Sequence, residues 1–185
     1  MSAQSRVRAS ALTGRSWLNT GGEQLDWQKL RGKIVILDFW SFCCINCLHV
    51  LDELRPLEER FSDVLVTVGV HSPKFEHEAE ALASAVDRYE IHHPVLDDPE
   101  LGTWDAYTAR AWPTLVVVDP EGYIVAHLSG EGHVQGIVSL VEQLVEQHEA
   151  AGTLHRDQVL DFIGVRAGDA QGNVVGEHCF VGLFT

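Results

Sequence analysis

The sequence predicts an α/β domain, and three observations predict it. Runs with strand character alternate with runs of helical spacing through the middle of the chain. Two of the strand runs, Ile34 to Trp40 and Val64 to Val70, are almost continuously apolar, the pattern of strands covered on both faces. A Cys-x-x-Cys, Cys44-Ile45-Asn46-Cys47, follows the first of these runs directly and precedes a segment of helical periodicity.

Taken in order, the first buried strand runs from about Ile34 to Trp40. Leu48, Leu51, Leu54, Leu57 and Phe61 then recur at helical spacing, with Pro56 expected to break or kink that helix late. Val64 to Val70 is the second strand. A helix from about Glu76 to Tyr89 follows, with Ala79, Leu82, Ala83 and Val86 as its core stripe. Pro94-Val95-Leu96 reads as a short extra strand and Trp104 to Ala109 as a short helix. Leu115 to Val118 is the third main strand; Asp119-Pro120-Glu121-Gly122 has turn chemistry, and Tyr123 to Leu128 returns as an antiparallel partner. Val134, Ile137, Val138, Val141, Leu144 and Val145 describe a closing amphipathic helix that Gly152 can cap.

At 185 residues and 45% hydrophobic, the chain can bury one full core and carry a short appendage, so one domain is the default. Its 13 basic and 27 acidic residues give a formal charge of −14, which argues against nucleic acid or an anionic membrane surface as partner. No apolar stretch approaches the length of a membrane span, and residues 1–8 lead into polar sequence rather than a signal-peptide core; the expected location is cytoplasmic. In a reducing cytosol four cysteines fit a cycling dithiol better than a disulfide scaffold.

The spacing gives the dithiol its chemistry. With Cys44 opening the helix, its sulfur sits at unpaired backbone N–H groups and the positive end of the helix dipole, which favour a thiolate. Cys47 lies three residues on, nearly on the same face, and can close a disulfide with Cys44 that releases a trapped partner. Asp38 is an acid in an apolar strand, costly unless paired or protonated, and a raised pKa would suit it to take the proton of Cys47. Rival readings of the cysteines are weaker. Zinc draws two ligand pairs from separate knuckles, and no second CxxC or HxxxH exists; covalent haem needs CxxCH, whereas Leu48 follows Cys47. No metal and no cofactor is therefore assigned. Cys43 is expected to be buried and unreactive, with pairing to Cys44 or Cys47 left open. The ten histidines form no HxxH or HExxH; His71, at a strand end beside the dithiol strand, is an auxiliary candidate only.

The run Asp38-Phe39-Trp40-Ser41-Phe42-Cys43-Cys44-Ile45-Asn46-Cys47, with Trp112-Pro113-Thr114 downstream, resembles the thioredoxin superfamily. The extra helix and strand between the second and third main strands resemble its TlpA-like, or redoxin, branch. Trp17-Leu18-Asn19-Thr20, the CCINC centre, Gly69-Val70-His71-Ser72-Pro73-Lys74-Phe75, His93-Pro94 and Gly130-Glu131-Gly132-His133 resemble the thioredoxin-like domain of NHL-repeat-containing proteins, over roughly residues 16–155. The resemblance implies a thioredoxin-like fold: a central mixed sheet flanked by helices on both faces, with that extra helix and strand. It implies a domain over 1–155, with 1–15 flexible. The stretch 156–185 is a tail without an independent domain, a truncation or an appended extension. Relatives commonly continue into a β-propeller, but Gly164 to Thr185 is Gly-rich and too short for a blade of roughly 40 residues, and its Cys179 reads as a bystander.

Residue by residue, the resemblance makes Cys44 the nucleophile, Cys47 the resolving thiol and Asp38 the buried acid. Pro113 matches a cis-proline facing the dithiol, and Trp112, Pro113 and Trp40 are assigned to the substrate-facing surface. The departures are Cys43 where thioredoxins place tryptophan and Ile45-Asn46 in place of their Gly-Pro; both put redox potential and partner choice in question. Two functions follow. One is a thiol-disulfide oxidoreductase acting on a disulfide-containing protein or small thiol substrate and served by a thiol reductant system, with a monomer favoured. The other is a protein-binding or redox-sensing module on the same scaffold, with little turnover.

Overall fold

The computed structural model describes residues 6–156. Its elements are β1 (Val7–Arg8), β2 (Ser16–Leu18), β3 (Ile34–Trp40), α1 (Ile45–Arg60), β4 (Leu65–His71), α2 (Ala79–Arg88), β5 (Val95–Asp97), α3 (Gly102–Ala106), β6 (Thr114–Val118), β7 (Tyr123–Ser129) and α4 (Val134–Ala151). All seven strands join one mixed sheet, ordered β1-β7-β6-β3-β4-β5-β2. β3, β4 and β5 run parallel, while β6 is antiparallel to β3 and β7 to β6.

The two faces are sorted by the period-2 alternation of the central strands. Ile34, Ile36 and Trp40 of β3 face α1 and its neighbours: Ile34 and Ile36 pack with Val50, Leu54 and Leu57 of α1 and Val141 of α4, and Trp40 packs with Cys47 and Leu51 of α1 and Leu82 of α2. Val35, Leu37 and Phe39 face the opposite layer, where Leu25, Leu30, Trp104 and Tyr107 close the core. Asp38 belongs to the first face, and the fold therefore holds it under α1.

Three sequence expectations change. Pro56 neither breaks nor ends α1, which continues to Arg60. An internal proline costs about 3 kcal/mol, and burying Leu54 and Leu57 on either side of it returns about 1.5–3 kcal/mol apiece. Of the stretch expected to be flexible, residues 6–15 are held along the domain: β1 pairs with β7, the Arg6 guanidinium meets Asp119 at 2.8 Å, and Arg15 donates to Asp97 at 2.8 Å. The second helix begins at Ala79 rather than Glu76, because Glu76 turns back to accept from the backbone N–H groups of Lys74 and Phe75. Cys179 and the tail beyond Arg156 lie outside the described residues.

Candidate active site

Cys44 is the N-cap of α1, in extended backbone conformation, and its carbonyl accepts from the N–H groups of Cys47 and Leu48. A strand that ends at Trp40 followed by four residues of turn places this cap at the C-terminal edge of the parallel strands, where such sheets carry their sites. Cys44 is only 7% exposed and Cys47 is fully buried; both are free thiols, and the two side chains are in hydrogen-bond contact. Burial, followed by that contact with Cys44, pushes the Cys47 thiol well up.

Asp38 lies on the strand beneath the dithiol helix. It is wholly buried, neither carboxylate oxygen has a hydrogen-bond partner among the described residues, and its charge acts on Cys47. Desolvation, helped by the negative charge of Glu58, raises its pKa from 3.8 to about 8.

The structure brings Trp112 and Pro113 to the same rim. Thr114 pairs with Phe39, so Pro113 stands level with Trp40 at the dithiol end of the sheet, and the Trp112–Pro113 peptide is cis. Trp112 packs against the Cys44–Cys47 cluster, stacks on Trp104 with centroids 4.3 Å apart, and donates its indole N–H to the Ser72 carbonyl at 2.7 Å. It remains partly exposed, with the Lys74 ammonium 5.2 Å above its ring. Ile45 and Phe75 are exposed apolar side chains, 63% and 74% accessible.

Two assignments are corrected. Trp40 is fully buried against Cys47, Leu51 and Leu82, so it is a floor under the dithiol and not a surface for substrate. Cys43 is exposed rather than buried, because it occupies the turn between β3 and the helix cap. Burial of its sulfur, then the charge and hydrogen bond of Glu76, still raise its thiol pKa. Glu76 also accepts from the Ser41 hydroxyl.

His71 is buried, stacked on Phe42 at 5.2 Å and edge-on to Trp40 at 5.3 Å, with Glu76 and Asp97 carboxylates at 3.7 and 3.9 Å. It braces the floor of the site and does not reach its surface. Sequence reasoning missed Glu58 and named His93 only as part of the His93-Pro94 motif. His93 Nδ1 lies 2.9 Å from Glu58 Oε1. The one available signal was the His93-Pro94 pair. Among the described residues the one set of three side chains spaced for a cation is elsewhere, at Asp119, Glu121 and His148, where Arg6 already bonds both carboxylates.

Comparison with known proteins agrees with this geometry. Residues 32–124 match a family model described as thioredoxin-like. The chain is 46% identical over 128 residues to Protein SUPPRESSOR OF QUENCHING 1, chloroplastic, of Arabidopsis thaliana, covering 68% of this chain and 12% of that protein. It is 40% identical over 147 residues to NHL repeat-containing protein 2 of Gallus gallus, covering 77% of this chain and 20% of that one. The chain thus spans a minor part of the length of these relatives. A crystal structure of a thiol-disulfide isomerase from Corynebacterium glutamicum superposes with a TM-score of 0.63 at 25% identity, covering 74% of this chain and 96% of that one. With a family match across the dithiol strand, the helix that follows it and the cis-proline strand, this chain belongs to the thioredoxin-like family.

Proposed function

We propose that this chain exchanges thiols for disulfides through Cys44 and Cys47, by way of a mixed disulfide. The observation that carries the reading is the pair of free thiols on one helical turn over a buried carboxylate that has no hydrogen-bond partner among the described residues. Cys44 Sγ, as thiolate, attacks one sulfur of a substrate disulfide; the bond between the substrate sulfurs breaks, and the second leaves as a thiolate that takes a proton from water. Asp38 then accepts the Cys47 proton. The Cys47 thiolate attacks Cys44 Sγ, the mixed disulfide breaks, and the substrate departs with two electrons. The Cys44–Cys47 disulfide is returned to the dithiol by an external thiol reductant.

The exposed Ile45 and Phe75, with the partly exposed Trp112, suit an extended protein segment as substrate better than a small thiol, since they offer apolar contact around a nearly buried nucleophile. A reducing, cytoplasmic setting is part of the proposal. The test is Cys47→Ser with a disulfide-bearing peptide: a covalent adduct on Cys44, released by dithiothreitol, is expected, together with complete loss of turnover in Cys44→Ser. Peptide binding that survives in Cys44→Ser, with no adduct in Cys47→Ser, would instead make the chain a binding module.

A further inference from the structure

Asp38 on β3 is the cross-strand neighbour of Gly69 on β4. Paired positions share a face, so both look into the layer under α1. A side chain at position 69 would fill the space there: a Cβ would lie 3.0 Å from Trp40 Nε1 and 3.1 Å from His93 Nε2. Neither nitrogen has a hydrogen-bond partner among the described residues, and neither carboxylate oxygen of Asp38 has one. Each buried polar group left unsatisfied costs about 1–3 kcal/mol. Two such nitrogens meet at Gly69, and the carboxylate of its cross-strand neighbour Asp38 adds two more such atoms on the same face, a polar gap in an otherwise apolar layer.

The gap has a second exit. His93 presents its other nitrogen to Glu58 at 2.9 Å, and both residues line a cleft of about 290 Å³ walled by Leu51, Leu65, Ile91 and Pro94. The cleft lies along α1 toward its C-terminal half, apart from the rim where Trp112 packs against the dithiol cluster.

We propose that Glu58 and His93 are positioning residues for Asp38, setting its proton affinity from behind the dithiol and passing its proton to the cleft. The proposal rests on the oxidoreductase reading. A proton taken from Cys47 leaves the Asp38 carboxyl across the Gly69 gap to His93 Nε2. The ring's Nδ1 proton passes to Glu58, and Glu58 gives it to water in the cleft; one proton enters and one leaves, Asp38 and Glu58 return to their starting states, and His93, left as the other tautomer, is reset when its ring turns over. The mouth of the site can then stay closed by a bound substrate while Asp38 is reset.

Electrostatics agree with this placement. After desolvation, Glu58 is the charge that raises Asp38. Desolvation pulls Glu58 itself upward, but the hydrogen bond and charge of His93 outweigh it and hold Glu58 low, so it stays negative. The titratable groups facing this network and its cleft are Cys47, Arg55, Glu58 and Glu59 from α1 and His92 and His93 ahead of β5; Leu115 of β6, beside Asp38, is apolar.

The experiment is a carbon-13 carboxyl titration of Asp38 in the reduced full chain, with the pH profile of mixed-disulfide resolution in parallel. Asp38 should titrate near 8 in the wild type. Glu58→Gln should lower that midpoint and move the resolution profile down with it, while Glu58→Asp, which keeps the charge, restores both. His93→Gln should slow resolution by roughly 10²-fold, the low end of general acid–base effects, and free imidazole diffusing into the cleft should restore the rate. An unchanged Asp38 midpoint in Glu58→Gln, or no recovery with imidazole, overturns the proposal. The two readings fail separately. A wild type that forms no Cys44 adduct defeats the oxidoreductase function, although a shifted midpoint in Glu58→Gln still establishes the coupling.

Discussion

Burying Asp38 with no hydrogen-bond partner among the described residues makes the fold itself sensitive to pH. In the unfolded chain its carboxyl ionises near 3.8, in the folded chain near 8. Between those values the folded state binds the extra proton, so this group's contribution is full at acid pH and is lost as pH rises to about 8. The interval corresponds to roughly 6 kcal/mol as an upper bound. Asp38→Asn stays neutral throughout and should therefore gain on the wild type steadily from pH 4 to 8 in urea unfolding. The lowered acids Glu58, Glu76 and Asp97 lose their contributions at lower pH in both proteins, so the difference isolates Asp38. Parallel stability curves would show that Asp38 is hydrated in solution. At this scale the sequence exposes what breaks a pattern: a charge in an apolar strand is visible, and so is a CxxC. It hides direction. Trp40 looks like a site aromatic until the strand's alternation turns it under α1, and Cys43 looks buried until the turn leaves it exposed. Glu58 and His93 are 35 residues apart, and nothing in either neighbourhood announces the other.

α1 carries the helix cap at Cys44 and the Glu58 carboxylate, and its interior holds a proline that leaves one carbonyl without its i+4 donor. Pro56 is exposed, so its ring adds little burial to offset that loss. Pro56→Ala should stabilise the chain by about 1–3 kcal/mol, less than the full helix-interior penalty because the unfolded chain also gains freedom. Guanidinium unfolding measures it, and a destabilised variant would mean that the proline fixes the path of α1 over Ile34 and Ile36. The long elements were legible for the same reason α1 survives Pro56: repeated apolar positions at one period outvote a single local signal. β1 and β2 were not legible. Strands of two and three residues have no period, and they exist because β7 and β5 offer edges to pair with. The start of the second helix was misplaced because Glu76 serves Ser41 and the preceding backbone instead of a helical turn.

A charge of −14 surrounds a dithiol whose rim is apolar, and these two features ask different things of a partner. The rim contacts act only after docking, whereas the overall field acts during approach and is screened over about 30 Å at 0.01 M salt and about 8 Å at 0.15 M. A basic peptide disulfide should therefore react fastest at low salt, with kcat/KM falling as salt rises across that range, while an acidic peptide of the same apolar sequence should gain. Because the field changes the encounter and not the bond exchange, the rate of mixed-disulfide resolution within a trapped complex should not respond to salt for either peptide. Stopped-flow tryptophan fluorescence separates the two steps, since Trp40 and Trp112 both pack against the dithiol cluster. Equal salt dependence for the two peptides would mean that local contacts at Ile45, Phe75 and Lys74 govern encounter. The acidic surface would then matter for solubility alone.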